Sequence, residues 1–151
     1  MSAAEVFFVD SNLLLYLVDR TEHVKRPLAA GWINALWTSS SGRLSWQVLN
    51  EFYWNATRKM QVSRAEARTL VSKLAEWEPI ENSLSLTECA WRWTDSAQLT
   101  HWDALILAAA QKAGARYLLS EDFQAGRKYE EIEVLNPFDH SPDSFGDIRV
   151  N

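Results

Sequence analysis

The sequence predicts an α/β fold, a three-layer α/β/α sandwich around a central, mainly parallel sheet. Three observations carry this expectation. Short β-branched and aromatic runs alternate with longer helix-forming segments, and strands alternating with helices build parallel sheets. The first run, "EVFFV" at 5–9, is nearly all apolar, as a strand covered on both faces should be. The 151 residues, 47% of them hydrophobic, are enough for one core and match the size of one ordinary domain.

The elements follow in order along the chain. After "EVFFV" comes Asp10, and "SNLLLYLV" opens with helix-capping residue types and continues as a helix. A second helix is expected over about Pro27 to Trp37, with the proline suited to its first turn; "SSSGR" breaks it. "RLSW" at 43–46 reads as a short strand, and "QVLNEFYWNATRKM" follows as a helix with Val48, Phe52 and Ala56 along one face. Ser63 with Glu66, and Ser85 with Glu88, match capping boxes that would open helices running to about Trp77 and about Leu99. "EPIE" between them is a weak third strand. A helix from about His101 should stop at Gly114, "ARYLLS" at 115–120 is the clearest late strand, and "IEVLNPF" a plausible last one. No internal repeat or long linker divides the chain, and the polar stretch "DHSPDSFGDIRVN" is expected to be loosely ordered.

Composition narrows the function. Fifteen Lys and Arg against 20 Asp and Glu leave a net charge of −5, which gives no global attraction for a polyanion or an anionic membrane. Cys89 is the only cysteine, so an intramolecular disulfide and a cysteine-based zinc site are both excluded. The N-terminal "MSAAEVFFVDSN" lacks a basic segment followed by a long apolar one, and no apolar run approaches a membrane span, so a cytoplasmic protein is expected. Eight tryptophans (32, 37, 46, 54, 77, 91, 93 and 102) could suggest base stacking, but such residues more commonly build cores and contact surfaces. Arg58, Lys59, Arg64, Arg68 and Lys73 form a basic segment opposed only by Glu66; such a stripe can contact RNA phosphates, but a charge run is more often simply a solvated face.

The acids give the sharper signal. In open α/β sheets the ligand site lies beyond the carboxyl ends of the strands, where strand order reverses. Asp10 ends the first strand, Asp122 stands just past "YLLS", and Glu51 lies in the first two turns of the helix after "RLSW". All three are sent to one edge. Asp103, in "HWDALILAAA", follows a helix, so this argument does not place it, and the positive end of the helix dipole offers it a purely local role. Asp10 likewise has a local explanation, because Asp favours the turn that leaves a strand. Gathered carboxylates repel one another unless a cation neutralises them. An oxygen-only set favours a hard ion such as Mg2+ or Mn2+, which can activate water for in-line attack on a phosphodiester.

The combination "FVDSN", "NEF" after a short strand, "HWDALILAAAQ" and "LLSEDF" resembles a PIN domain, most closely the VapC-type ribonuclease toxins of toxin–antitoxin pairs. The resemblance spans about residues 5–138. It implies a PIN-like nuclease domain over 1–138, followed by a polar tail over 139–151. It also implies that Asp10, Glu51, Asp103 and Asp122 are the catalytic and metal-binding acids, supported by Asn12 and Ser120; Glu121 stands beside Asp122, and only the family's position selects Asp122 over it. The implied protein is a Mg2+- or Mn2+-dependent endoribonuclease acting on RNA, homodimeric, and held inactive by a small antitoxin. His101 reads as a helix-start residue, and this chemistry needs no histidine base. The competing reading is a non-catalytic α/β binding or signalling module of the phosphate-accepting receiver type. A receiver wants adjacent acids after its first strand and a lysine at the end of a late one; Asp10 is followed by Ser11 and Asn12, and no lysine stands near Ser120.

Overall fold

A computed structural model describes residues 5–146. Its elements are β1 (Phe7–Val9), α1 (Ser11–Val18), α2 (Lys25–Ser39), β2 (Gly42–Arg43), α3 (Trp46–Lys59), α4 (Arg64–Leu74), α5 (Leu84–Ala97), α6 (His101–Lys112), β3 (Tyr117–Leu119), β4 (Lys128–Tyr129) and β5 (Ile132–Leu135). The five strands form one sheet in the order β2-β1-β3-β5-β4, parallel except for the β4–β5 pair. Helices flank this sheet: α1 packs on both α2 and α3, α4 packs on α3, and α5 pairs with α6. The α/β sandwich expected from the alternation of elements is therefore the fold observed.

Strand order also marks the edge where a site is expected. From β1 the chain leaves to β2 on one side and meets β3 on the other, so the reversal falls between β1 and β3. The residues just past these strands, Asp10 and Ser120, are neighbours because Val9 pairs with Leu119. Asp10 N–H bonds to the Leu119 carbonyl at 3.1 Å, and Ser120 N–H to the Leu135 carbonyl at 3.1 Å.

The core explains why these segments take these forms. Phe7, Phe8 and Val9 are wholly buried, so β1 is covered on both faces. In α6 every residue from Ala104 to Ala110 is buried; a helix apolar all round belongs inside. Gly114 ends this region with φ +73°, a conformation that glycine takes without a Cβ penalty. Of the tryptophans, Trp32 is buried and donates Nε1–H to the Pro137 carbonyl at 2.7 Å, whereas Trp54, Trp91 and Trp102 are exposed.

Several expectations are corrected. Ser83, not Ser85, caps α5: its extended backbone lets its hydroxyl accept from Leu86 N–H, so Leu86 occupies the position where a capping box would need Glu. "RLSW" contributes only Arg43 to β2, while Ser45 and Ile80 form an isolated parallel bridge. That bridge is all that "EPIE" supplies. The helix from Ser63 ends at Leu74 and tightens into a 3-10 turn over Ala75–Trp77. The antiparallel edge strand β4 was not expected.

The tail also differs from the loose segment expected, as far as residue 146; positions 147–151 lie outside the described residues. Pro142–Ser144 make a 3-10 turn, and Phe145 meets Phe7, Trp32 and Tyr117 with ring centroids 5.4, 5.9 and 5.1 Å apart. One aromatic side chain is enough to anchor a segment whose composition is otherwise polar.

Candidate active site

Asp10 is the innermost acid. It sits at the end of β1 with 4% of its surface exposed and caps α1, Oδ1 accepting from Ser11 N–H at 2.7 Å. Its Oδ2 accepts from the Ser120 hydroxyl at 2.7 Å. The local capping role weighed for Asp10 is thus real, and it places the second carboxylate oxygen at the sheet edge. Burial lifts the Asp10 carboxyl from 3.8 to about 6; the Ser120 and Ser11 bonds pull it down, and the charges of Asp122 and Glu51 push it up.

The other three acids surround it with increasing exposure. Glu51, half-buried on α3, accepts from the Ser11 hydroxyl at 3.2 Å and from Gln47 Nε2 at 2.9 Å. Asp103 is half-buried in the first turn of α6, and its N–H bonds to the Thr100 hydroxyl at 3.1 Å. Its carboxyl is raised by burial, drawn back by Thr100 and raised again by the charge of Asp122. Asp122 is exposed and acts on both Asp10 and Asp103. All four sequence-derived acids therefore come to one edge, including the one that strand topology could not place.

Asn12 and Ser120 also meet there. Asn12 Nδ2 donates to Ser120 Oγ at 3.3 Å, and Asn12 Oδ1 accepts from Glu121 N–H at 3.4 Å. Ser120 Oγ accepts from Asp122 N–H at 3.0 Å as well. His101 is exposed and sets its ring edge against Trp102 at 5.2 Å. The basic segment is partly occupied with aromatic faces: Arg58 lies 4.4 Å above Trp54, and Arg68 donates to the Tyr53 hydroxyl at 3.2 Å.

Some members of this network were not anticipated. Gln47 holds Glu51 and also the Trp102 carbonyl at 3.2 Å, tying α3 to α6 beside Asp103; its i, i+4 spacing to Glu51 was the available signal. Ser11 serves both Asp10 and Glu51. Tyr16 and Lys25 hold Glu121: Tyr16 O–H donates to Oε1 at 2.5 Å and Lys25 Nζ to Oε2 at 2.9 Å. Nothing in local spacing announces these long-range pairs.

The donor chemistry fits a hard divalent cation. Among the described residues the ion pairs are Arg20–Glu66 and Lys25–Glu121, so Asp10, Glu51, Asp103 and Asp122 gather without a side-chain cation. Also among the described residues, no three His, Cys, Asp or Glu side chains converge closely enough to form a ready-made metal cage. Mg2+ does not require one, since it keeps several waters and commonly takes one or two carboxylates.

A parallel sheet with acids at its reversal point defines the class as an α/β domain with an anionic site at the strand ends. The PIN domain family model matches residues 7–131, and the chain belongs to that family. Two solved structures share the fold. VapC20 of Mycobacterium tuberculosis, described as a Sarcin-Ricin loop cleaving toxin, aligns with TM-score 0.59 and 20% identity over 84% of this chain and 98% of that one. VapBC2 of Rickettsia felis, bound to a DNA fragment from its promoter, aligns with TM-score 0.58 and 14% identity over 85% of this chain and 96% of that one. No curated protein matches the chain. The sheet order, with its antiparallel edge, also departs from the 2-1-3-4-5 order of receiver-type folds.

Proposed function

We propose that this protein is a divalent-metal-dependent endoribonuclease, the toxin of a toxin–antitoxin pair. The observation that carries the reading is the burial of Asp10 at the β1–β3 reversal, under the charges of Asp122 and Glu51. Membership of the PIN family supports nuclease chemistry, and the VapC neighbours support the toxin assignment.

Asp10 and Asp103 are the principal ligands for Mg2+ or Mn2+ in this reading, with Glu51 and Asp122 completing the set. When bound, the ion supplies Lewis acidity to the phosphate and lowers the pKa of attacking water. The chain's own residues orient the ligands: Ser120 and Ser11 N–H fix both oxygens of Asp10, while Gln47 and Ser11 fix those of Glu51. Exposed Asp122 stands where RNA would enter, and Asn12 and Ser120 hold the turn that carries it.

A small antitoxin is the proposed protein partner, the active form is a homodimer, and the cytoplasm is the compartment. Among the described residues no helix is long and apolar enough to cross a membrane. The test is cleavage of a panel of structured and single-stranded RNAs with Mg2+, with Mn2+ and with chelator. Cleavage that requires metal and is lost in folded Asp10→Asn is expected; wild-type activity in that variant overturns the assignment.

A further inference from the structure

Two acids stand side by side at the end of β3, and they are treated differently. Asp122 is exposed and acts on Asp10 and Asp103. Glu121 is half-buried, and both of its carboxylate oxygens are engaged elsewhere. Tyr16 of α1 donates to Oε1, and Lys25 at the start of α2 donates to Oε2. Lys25 is itself held: its Nζ lies 3.4 Å from the Tyr16 oxygen and 5.1 Å from the centroids of both the Tyr16 and Phe138 rings. Those two rings meet edge to face at 5.1 Å.

The same residue is gripped on its backbone. Asn12 Oδ1 accepts from Glu121 N–H, and Asn12 and Tyr16 are one helical turn apart on α1, so they present neighbouring side chains. Helix α1 therefore clasps position 121 twice, once by the main chain and once by the carboxylate. Because the next N–H, that of Asp122, bonds to Ser120 Oγ, holding Glu121 also holds the path of Asp122.

We propose that Tyr16 and Lys25 are positioning residues that hold the Glu121 carboxylate out of the acidic site, leaving Asp122 as the one acid of the adjacent pair that faces it. This resolves a choice between neighbours that chain position alone leaves open. The ammonium neutralises Glu121, and the phenol fixes its direction. The role in catalysis rests on the nuclease reading above, whereas the positioning of the turn does not.

The test is amide hydrogen exchange followed by NMR on the full chain without metal, for wild type, Lys25→Met, Tyr16→Phe and Lys25→Arg, combined with Mn2+ titration of each. A partly exposed ion pair stabilises modestly, so Lys25→Met should accelerate exchange at Glu121 and Asp122 by about fivefold. Tyr16→Phe should act in the same direction, Lys25→Arg should restore slow exchange, and Phe8, Val9, Leu118 and Leu119 should be unaffected. Mn2+ affinity should rise in Lys25→Met, where Glu121 is released as an extra anion, and return toward wild type in Lys25→Met with Glu121→Gln. Unchanged exchange at Glu121 and Asp122 in both Lys25→Met and Tyr16→Phe overturns the proposal. Accelerated exchange in a protein whose wild type takes up no Mn2+ upholds the positioning and removes the metal reading instead.

Discussion

Ser120 donates its hydroxyl hydrogen to Asp10 across the β1–β3 reversal, and the surrounding bonds allow no other polarity. Its oxygen already accepts from Asn12 Nδ2 and Asp122 N–H, so both lone pairs are engaged and the single hydrogen points to Asp10 Oδ2. Removing the hydroxyl orphans an acceptor and two donors together. Ser120→Ala should therefore lower unfolding free energy by about 1–3 kcal/mol, as for other buried polar groups left unpaired, read by urea denaturation at pH 7. A loss below about 0.5 kcal/mol, the scale of an ordinary surface change, would show that the network is not held as described.

The Asp10 carboxyl carries a pH signature. Its native value of about 6 lies above the ordinary 3.8, so the folded protein holds this proton more tightly than the unfolded chain. The associated stability is fully present below pH 3.8 and is lost as pH rises through 6. Relative to Asp10→Asn, wild type should lose up to about 3 kcal/mol between pH 4 and pH 7, and the difference should be level above that. Paired denaturation series across this range give the answer; parallel curves for the two proteins would remove the buried-charge account.

Divalent ions should offset the cost of charging the buried Asp10 carboxyl beside Asp122 and Glu51. At a hundredfold excess over its dissociation constant, Mn2+ contributes about 2.7 kcal/mol to the folded state, which raises Tm by about 5–10 °C in a chain of this size. Chelator should reverse the shift, and Asp10→Asn should largely abolish it. An equal Mn2+ shift in Asp10→Asn and wild type would place the ion elsewhere.

His101 precedes the site without joining its hydrogen bonds and meets Trp102 edge to face. His101→Gln should leave RNA cleavage within about twofold of wild type, whereas loss of a general acid or base would cost about 100-fold or more. The pH–rate profile of the variant should also overlay that of wild type.

The legibility of this molecule in its sequence follows the range of the interactions involved. Alternating apolar runs and capped helices announced β1, β3 and the helices, because burial and capping act over a few residues. Strand β4 was invisible: Lys128–Tyr129 is two residues long, one of them exposed, and it exists through pairing with β5. Ser83 displaced Ser85 as a cap because the backbone entering α5 is already extended there. Phe145 lies in a largely polar stretch, and only the fold shows the Phe7, Trp32 and Tyr117 rings it meets.

The site divides in the same way. Strand topology brought Asp10, Glu51 and the Glu121–Asp122 pair to one edge, and the PIN resemblance chose Asp122 from that pair and added Asp103. Ser11, Gln47, Tyr16 and Lys25 escaped notice because their partners include residues 40 to 105 positions away or bonds that a helix turn must first create.

The most direct test of the central claim is the rate of RNA cleavage against Mn2+ concentration for wild type and Asp103→Asn, with folding of both checked by circular dichroism. The account predicts saturable, chelator-sensitive cleavage by wild type, and loss of about 100-fold or more in the variant, as for an essential active-site group. Equal cleavage by the two proteins, or none by folded wild type at any Mn2+ concentration, would contradict it and leave Asp103 as a charge at the start of α6.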